Sequence, residues 1–187
     1  MRTPLFSLRP RKALPLLALL LGACSSAPPV PRHEADLGLP RRVHIVQRTA
    51  SQPSLDRMLV VQQIGQASRW SLFDPLGVPL ARQQLQNGQW HSVGLLPPNA
   101  PARILFAELI FAWMPRDQLD SAYGPDAWRA QALPDGRRVR LFLGSGGSDC
   151  SPLWTVAWAA PPAPRSTFTI TQADGTSWLV SPLRDQP

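Results

Sequence analysis

Cysteine, tyrosine, histidine and lysine are all scarce in this chain. Its 187 residues hold two cysteines, one tyrosine and three histidines, and Lys12 is its one lysine. Each scarcity excludes something. His33, His44 and His91 have no metal-ligand spacing and no cysteine beside them, so no zinc motif can be written. No Gly-x-Ser-x-Gly elbow occurs, which removes that signature of serine hydrolases. Acids are few and never closely paired in a strand-end setting, so two-carboxylate glycosidase chemistry has no basis. Gly144-Ser145-Gly146-Gly147-Ser148-Asp149 is glycine-rich, but no Gly-Lys-Ser/Thr follows it, so it is not a phosphate loop. The sequence therefore offers no catalytic set, metal or cofactor, and a non-enzymatic role is expected. The longest apolar run near the start, Ala13–Leu21, covers about 9 residues against the roughly 20 that span a bilayer.

That short run is the most informative stretch. Arg2, Arg9, Arg11 and Lys12 precede it without an acid, and Leu21-Gly22-Ala23-Cys24 closes it. A basic segment, a short apolar segment and small residues before a cut site make a secretory signal. Leu-Gly-Ala-Cys resembles the lipobox of bacterial lipoproteins. The resemblance implies cleavage before Cys24 and acylation of that cysteine. Each buried methylene contributes about 0.8 kcal/mol, and stable anchoring takes more than one chain. Ser25 follows where an aspartate would imply retention in the inner membrane. The expectation is a lipid anchor in the outer membrane with the domain in the periplasm.

Removing residues 1–23 changes the charge balance. The chain has 19 basic and 12 acidic residues. Four basic ones lie in the signal, so 19 minus 4 leaves 15 against 12, or +3. The high isoelectric point mostly reflects targeting, and no nucleic-acid partner is expected. With Cys24 acylated, Cys150 is left without a disulfide partner and reads as a structural thiol. Arg137, Arg138 and Arg140 form the one dense basic cluster. Seven tryptophans, Trp70, Trp90, Trp113, Trp128, Trp154, Trp158 and Trp178, can fill a core or line an apolar cavity.

Residues 24–41 are proline-rich and read as an extended tether. Residues 42–182 read as one domain and 183–187 as a tail. Strand-like segments cover Val43–Arg48, Met58–Ile64, Arg69–Phe73, Leu76–Ala81 and Gln89–Val93, with Asp74-Pro75-Leu76-Gly77 and Asn87-Gly88 as turns. Pro79 favours an edge or a bulge. Pro101–Met114 is apolar nearly all round, starts on a proline and stops at Pro115. It predicts a buried helix of about 21 Å. Asp117–Ala130 predicts two short helices around Gly124-Pro125. Strands follow at Arg137–Leu143, where Val139, Leu141 and Leu143 share a face, and then at Trp154–Trp158, Thr167–Thr171 and Ser177–Val180.

This order, together with the lipobox, resembles the LolA/LolB class of lipoprotein carriers. Met58-Leu59-Val60-Val61-Gln62, Leu72–Leu80 and Ile104–Pro115 are similar to an uncharacterised family of outer-membrane lipoproteins associated with aryl-polyene biosynthesis. The fold expected is mainly β (α+β). The resemblance implies a strongly curved antiparallel sheet, an incomplete LolB-like barrel with helices in its concave face. It also implies a cavity for acyl or aryl-polyene chains, with a lipid or a lipoprotein as cargo and a periplasmic carrier protein as a partner. Ranked by face and size, Trp70, Leu72, Phe106, Ile110, Trp154 and Trp158 are the expected cavity residues. Leu95 and Leu96, on a loop before the helix, are the expected membrane contacts by analogy with LolB. The alternative is a non-catalytic assembly or adaptor lipoprotein that binds a protein partner.

Overall fold

A computed structural model of the chain describes residues 28–34, 36–144, 151–163 and 165–183. The expected signal, Cys24, Cys150 and the end of the tail lie outside the described residues. The elements run β1 (Arg41–Thr49), β2 (Gln52–Ile64), β3 (Ala67–Phe73), β4 (Pro79–Gln86), β5 (Gln89–Ser92), α1 (Ala100–Trp113), one 3-10 turn, α2 (Leu119–Tyr123), β6 (Trp128–Ala132), β7 (Arg138–Phe142), β8 (Trp154–Trp158), β9 (Phe168–Gln172) and β10 (Ser177–Pro182).

The strands form a single ten-stranded sheet in the order β5-β4-β3-β2-β1-β10-β9-β8-β7-β6. Every pairing is antiparallel. Two five-strand meanders are thus joined at the centre, where β1 meets β10. The edges β5 and β6 do not pair, so the sheet is not closed into a barrel. Asn87 at φ 50° and Gly88 at φ 72° make the tight β4–β5 turn, as the left-handed conformation at both positions requires.

Helix α1 leaves the end of β5 and runs under the sheet. Asn99 caps it: its Oδ1 accepts from the Ala102 amide at 2.9 Å, and its Nδ2 donates to the Leu80 carbonyl. The helix is buried on nearly every side from Leu105 to Ala112. Both halves of the sheet touch it. Phe106 meets Trp70 of β3 at 5.2 Å, and Phe111 meets Phe142 of β7 at 5.2 Å. The sheet therefore wraps around the helix and one core joins both meanders.

Three local expectations change. Trp128 begins a strand, not a helix: Gly124 at φ 99° ends α2, and Trp128 then pairs with Phe142. Leu76 and Val78 are turn residues despite their alternation. The Asp74 carboxylate accepts from both their amides at 2.9 and 2.8 Å, so the strand starts only at Pro79. The register shift expected near Pro79 is present, opposite Phe73. Finally, residues 31–34 and 36–40 are not a free tether. Pro31 and Leu37 are buried, and the Arg32 amide donates to the Ala122 carbonyl. This strap crosses the sheet end where β1 begins.

Candidate functional site

The antiparallel registers sort the connections into two ends. The β3–β4 turn, the β5–α1 loop and the β9–β10 turn share one end with the start of α1. The start of β1, the β6–β7 turn and the β8–β9 connection share the other, where α1 stops. A cavity of about 730 Å³ opens at this second end. Its floor is the last turn of α1 with Trp113 and Met114, and Trp158 of β8 and Phe168 of β9 form an apolar wall. Ala130 and Ala132 of edge strand β6 leave room opposite them, and Asp36 and Gly38 of the strap close one side.

Arg41, Arg116, Arg138 and Arg140 also line this cavity. Arg140 faces inward from β7 and is buried. Its Nη1 donates to the carbonyls of Phe111, Ala112 and Met114 at 3.2, 3.4 and 2.8 Å. Phe111 and Ala112 belong to the last turn of α1 and Met114 is its C-cap, so the arginine supplies a donor to carbonyls at a helix end that lacks intrahelical ones. Its guanidinium also lies 5.2 Å from the Trp158 ring. Burial pulls its pKa down to about 10, with Arg116 adding repulsion. Arg41 lies 4.9 Å from the Trp113 ring, and its Nε donates to the Leu37 carbonyl, which ties the strap to β1. Burial pulls its pKa down too, while Asp36 pushes it up.

The inward face of Arg138, Arg140 and Phe142 is the one that sequence periodicity missed. Val139, Leu141 and Leu143 do share a face, but it is the other one, as the pairing of Arg138 with Trp158 and of Phe142 with Trp154 requires. The end of α1 explains Arg140 on this apolar face, since its carbonyls accept from that side chain; Arg138 stays exposed at the edge of the same face.

The expected cavity residues are divided by the structure. Trp158 lines the 730 Å³ cavity. Leu72 lines a separate cavity of about 320 Å³ at the other end, beside Arg57 and Trp178. Ile110 borders a void of only about 40 Å³ under the strap, next to Leu37 and Leu39. Trp70, Phe106 and Trp154 are packed into the core. Trp70 lies between Phe106, Trp90 and Trp113, and Trp154 stacks on Phe142 at 4.2 Å. The centre of the concave face is filled, and the open volume lies beyond both ends of α1. Leu95 is fully exposed, at 104%, at the same end as Leu76 at 88%; Leu96 is half-buried.

The apolar helix also carries one buried acid. Glu108, in the middle of α1, is buried; its Oε1 accepts from Gln172 Nε2 at 2.6 Å, and its Oε2 has no partner among the described residues. Burial raises its pKa to about 7. Folding also brings His33 to 3.2 Å from the Ser121 hydroxyl. The same hydroxyl lies 2.9 Å from the Gln118 carbonyl, to which it donates. His44 meets Asp56 at 2.7 Å on the exposed side of β1 and β2. Among the described residues no three His, Cys, Asp or Glu side chains gather to hold a metal, and no helix is long and apolar enough to cross a membrane. No protein-family model matches the chain, and no curated protein matches it.

Proposed function

We propose that this protein is a lipid-binding or lipid-transfer lipoprotein, held on the periplasmic face of the outer membrane by acylated Cys24. In this reading the open ten-stranded sheet is an incomplete barrel of the LolB kind, and its cargo is an acyl or aryl-polyene chain. The observation that carries the reading is the 730 Å³ hollow at the end of α1. Its volume lies within the roughly 300–1,000 Å³ of small-ligand sites; Trp113, Met114, Trp158 and Phe168 supply an apolar part, and four arginines with Asp36 supply a strongly polar one. Trp113, Trp158, Phe168 and Met114 would replace the water around a hydrocarbon chain, and each methylene so buried contributes about 0.8 kcal/mol.

Ala130 supplies the test. It sits on edge strand β6, is exposed, and borders the hollow. Ala130→Trp places an indole in the open volume without displacing a packed neighbour. Uptake of a fluorescent fatty acid should fall at least about tenfold, with the denaturation midpoint within about 0.5 kcal/mol of wild type. Unchanged uptake would remove the cavity from the argument.

A second reading, an adaptor that binds a protein partner, draws on a different observation. Leu76, Val78 and Leu95 stand exposed together at the end opposite the hollow. Leu95→Asp combined with Leu76→Asp should leave fatty-acid uptake intact while abolishing capture of such a partner.

A further inference from the structure

We infer that the ligand of the hollow at the end of α1 is an anionic single-chain amphiphile, whose acid head sits between Arg116 and Arg138. This rests on the reading of that hollow as a lipid site and adds the chemistry of the head. Among the described residues four arginines line the hollow, and Asp36 is the one acidic residue of that lining. Two of the four have structural work. Arg140 is spent on the helix carbonyls, and Arg41 holds the Leu37 carbonyl and lies over Trp113. Arg116 and Arg138 are exposed at the rim. Among the described residues, neither pairs with a carboxylate.

The position of these charges is otherwise unfavourable. Arg116 repels Arg140 closely enough to help lower its pKa. The negative end of the α1 dipole would be the natural counterweight, but Arg140 already occupies its carbonyls. A bound carboxylate or phosphate would neutralise the rim and accept charge-assisted hydrogen bonds from guanidinium groups. The chain would then run inward over Trp113, Trp158 and Phe168. A neutral alcohol or a sterol fills the apolar part equally well but leaves the rim uncompensated.

The test compares dodecanoate with dodecanol at pH 8 as competitors for a fluorescent acyl probe on the full-length protein. Dodecanoate should bind at least about tenfold more tightly, and the margin should shrink with added salt. The double variant Arg116→Gln, Arg138→Gln should bring dodecanoate to the level of dodecanol and leave dodecanol unchanged. Both positions are exposed, so far-UV circular dichroism should match wild type. Equal binding of acid and alcohol by wild type would overturn the inference while leaving lipid binding intact. A preference retained in the double variant would overturn the assignment to these two arginines. Displacement of the probe by inorganic phosphate alone, at concentrations near those of dodecanoate, would show a small-anion site and overturn the amphiphile. Binding of neither ligand, and of no probe, would bring down the lipid reading itself.

Discussion

Glu108 is an acid set in the most apolar helix of the chain, and its position has a definite cost. The carboxyl is 1% exposed, and one of its oxygens has no partner among the described residues. Its pKa rises from 4.5 to about 7, because burial opposes the charged form more than the hydrogen bond from Gln172 favours it. The sign follows directly. Between pH 4.5 and 7 the folded protein keeps the proton that the unfolded chain has lost. Stability therefore falls as pH rises through this window and stays low above it. Glu108→Gln keeps the acceptor for Gln172 and removes the titration. The variant should match wild type near pH 4 and exceed it by about 3 kcal/mol at pH 8. Urea denaturation at both values checks this, and a constant difference across the range would place the carboxylate in solvent. Arg140 shows the opposite arrangement. It is equally out of place on an inward face, but three carbonyls and a tryptophan ring compensate it. Neither role could be read from neighbouring residues, because the partners of Glu108 and Arg140 lie 64 and 26–29 positions away.

At the scale of the element, α1 decides what is hollow and what is filled. Its start, its stop and its burial were legible: a proline in the first turn, Pro115 beyond the end and few charges between them. What the pattern could not give was which large side chains meet partners and which meet space. Ile110 illustrates this. It is a large apolar residue expected, like Trp158, to line the cavity, yet it packs under Leu37 and Leu39 around a void of about 40 Å³. An indole cannot fit there. Ile110→Trp should therefore cost about 1–3 kcal/mol of stability through overpacking. Chemical denaturation measures it, and a folded variant of unchanged stability would mean that the strap yields easily at this point. The turn at Asp74 teaches a related lesson. Leu76, Val78 and Leu80 alternate as a strand would, but one carboxylate captures two amides and holds the first two in a turn.

For the whole molecule, the strap and the sheet form one folded unit. The sheet is open at β5 and β6, and β1 and β10 sit at its centre. Residues 31–34 and 36–40 cross the end at which the hollow opens and contribute Asp36 and Gly38 to its side. Leu37 is only 6% exposed. Leu37→Ala should cost about 2–3 kcal/mol, as a core position does. A free tether would make the same change silent, so a urea midpoint distinguishes the two. In the proposed lipoprotein this geometry has a consequence: the segment that descends from the acylated cysteine is also a wall of the site. A ligand would then enter on the side from which the protein is held.

The sequence alone determined the number and order of most strands and the position of the buried helix. These depend on local chemistry: turn residues, caps, prolines and the period of apolar side chains act within a few positions of one another. The tertiary structure decided the rest. It turned the arginine face of β7 inward, left the sheet unclosed, brought the strap onto the body and put the hollow at the end of α1 instead of under its middle. Those outcomes depend on where two distant surfaces meet, and whether they interlock or leave space is fixed by shape and by the pairing of buried charges, which no short-range pattern records.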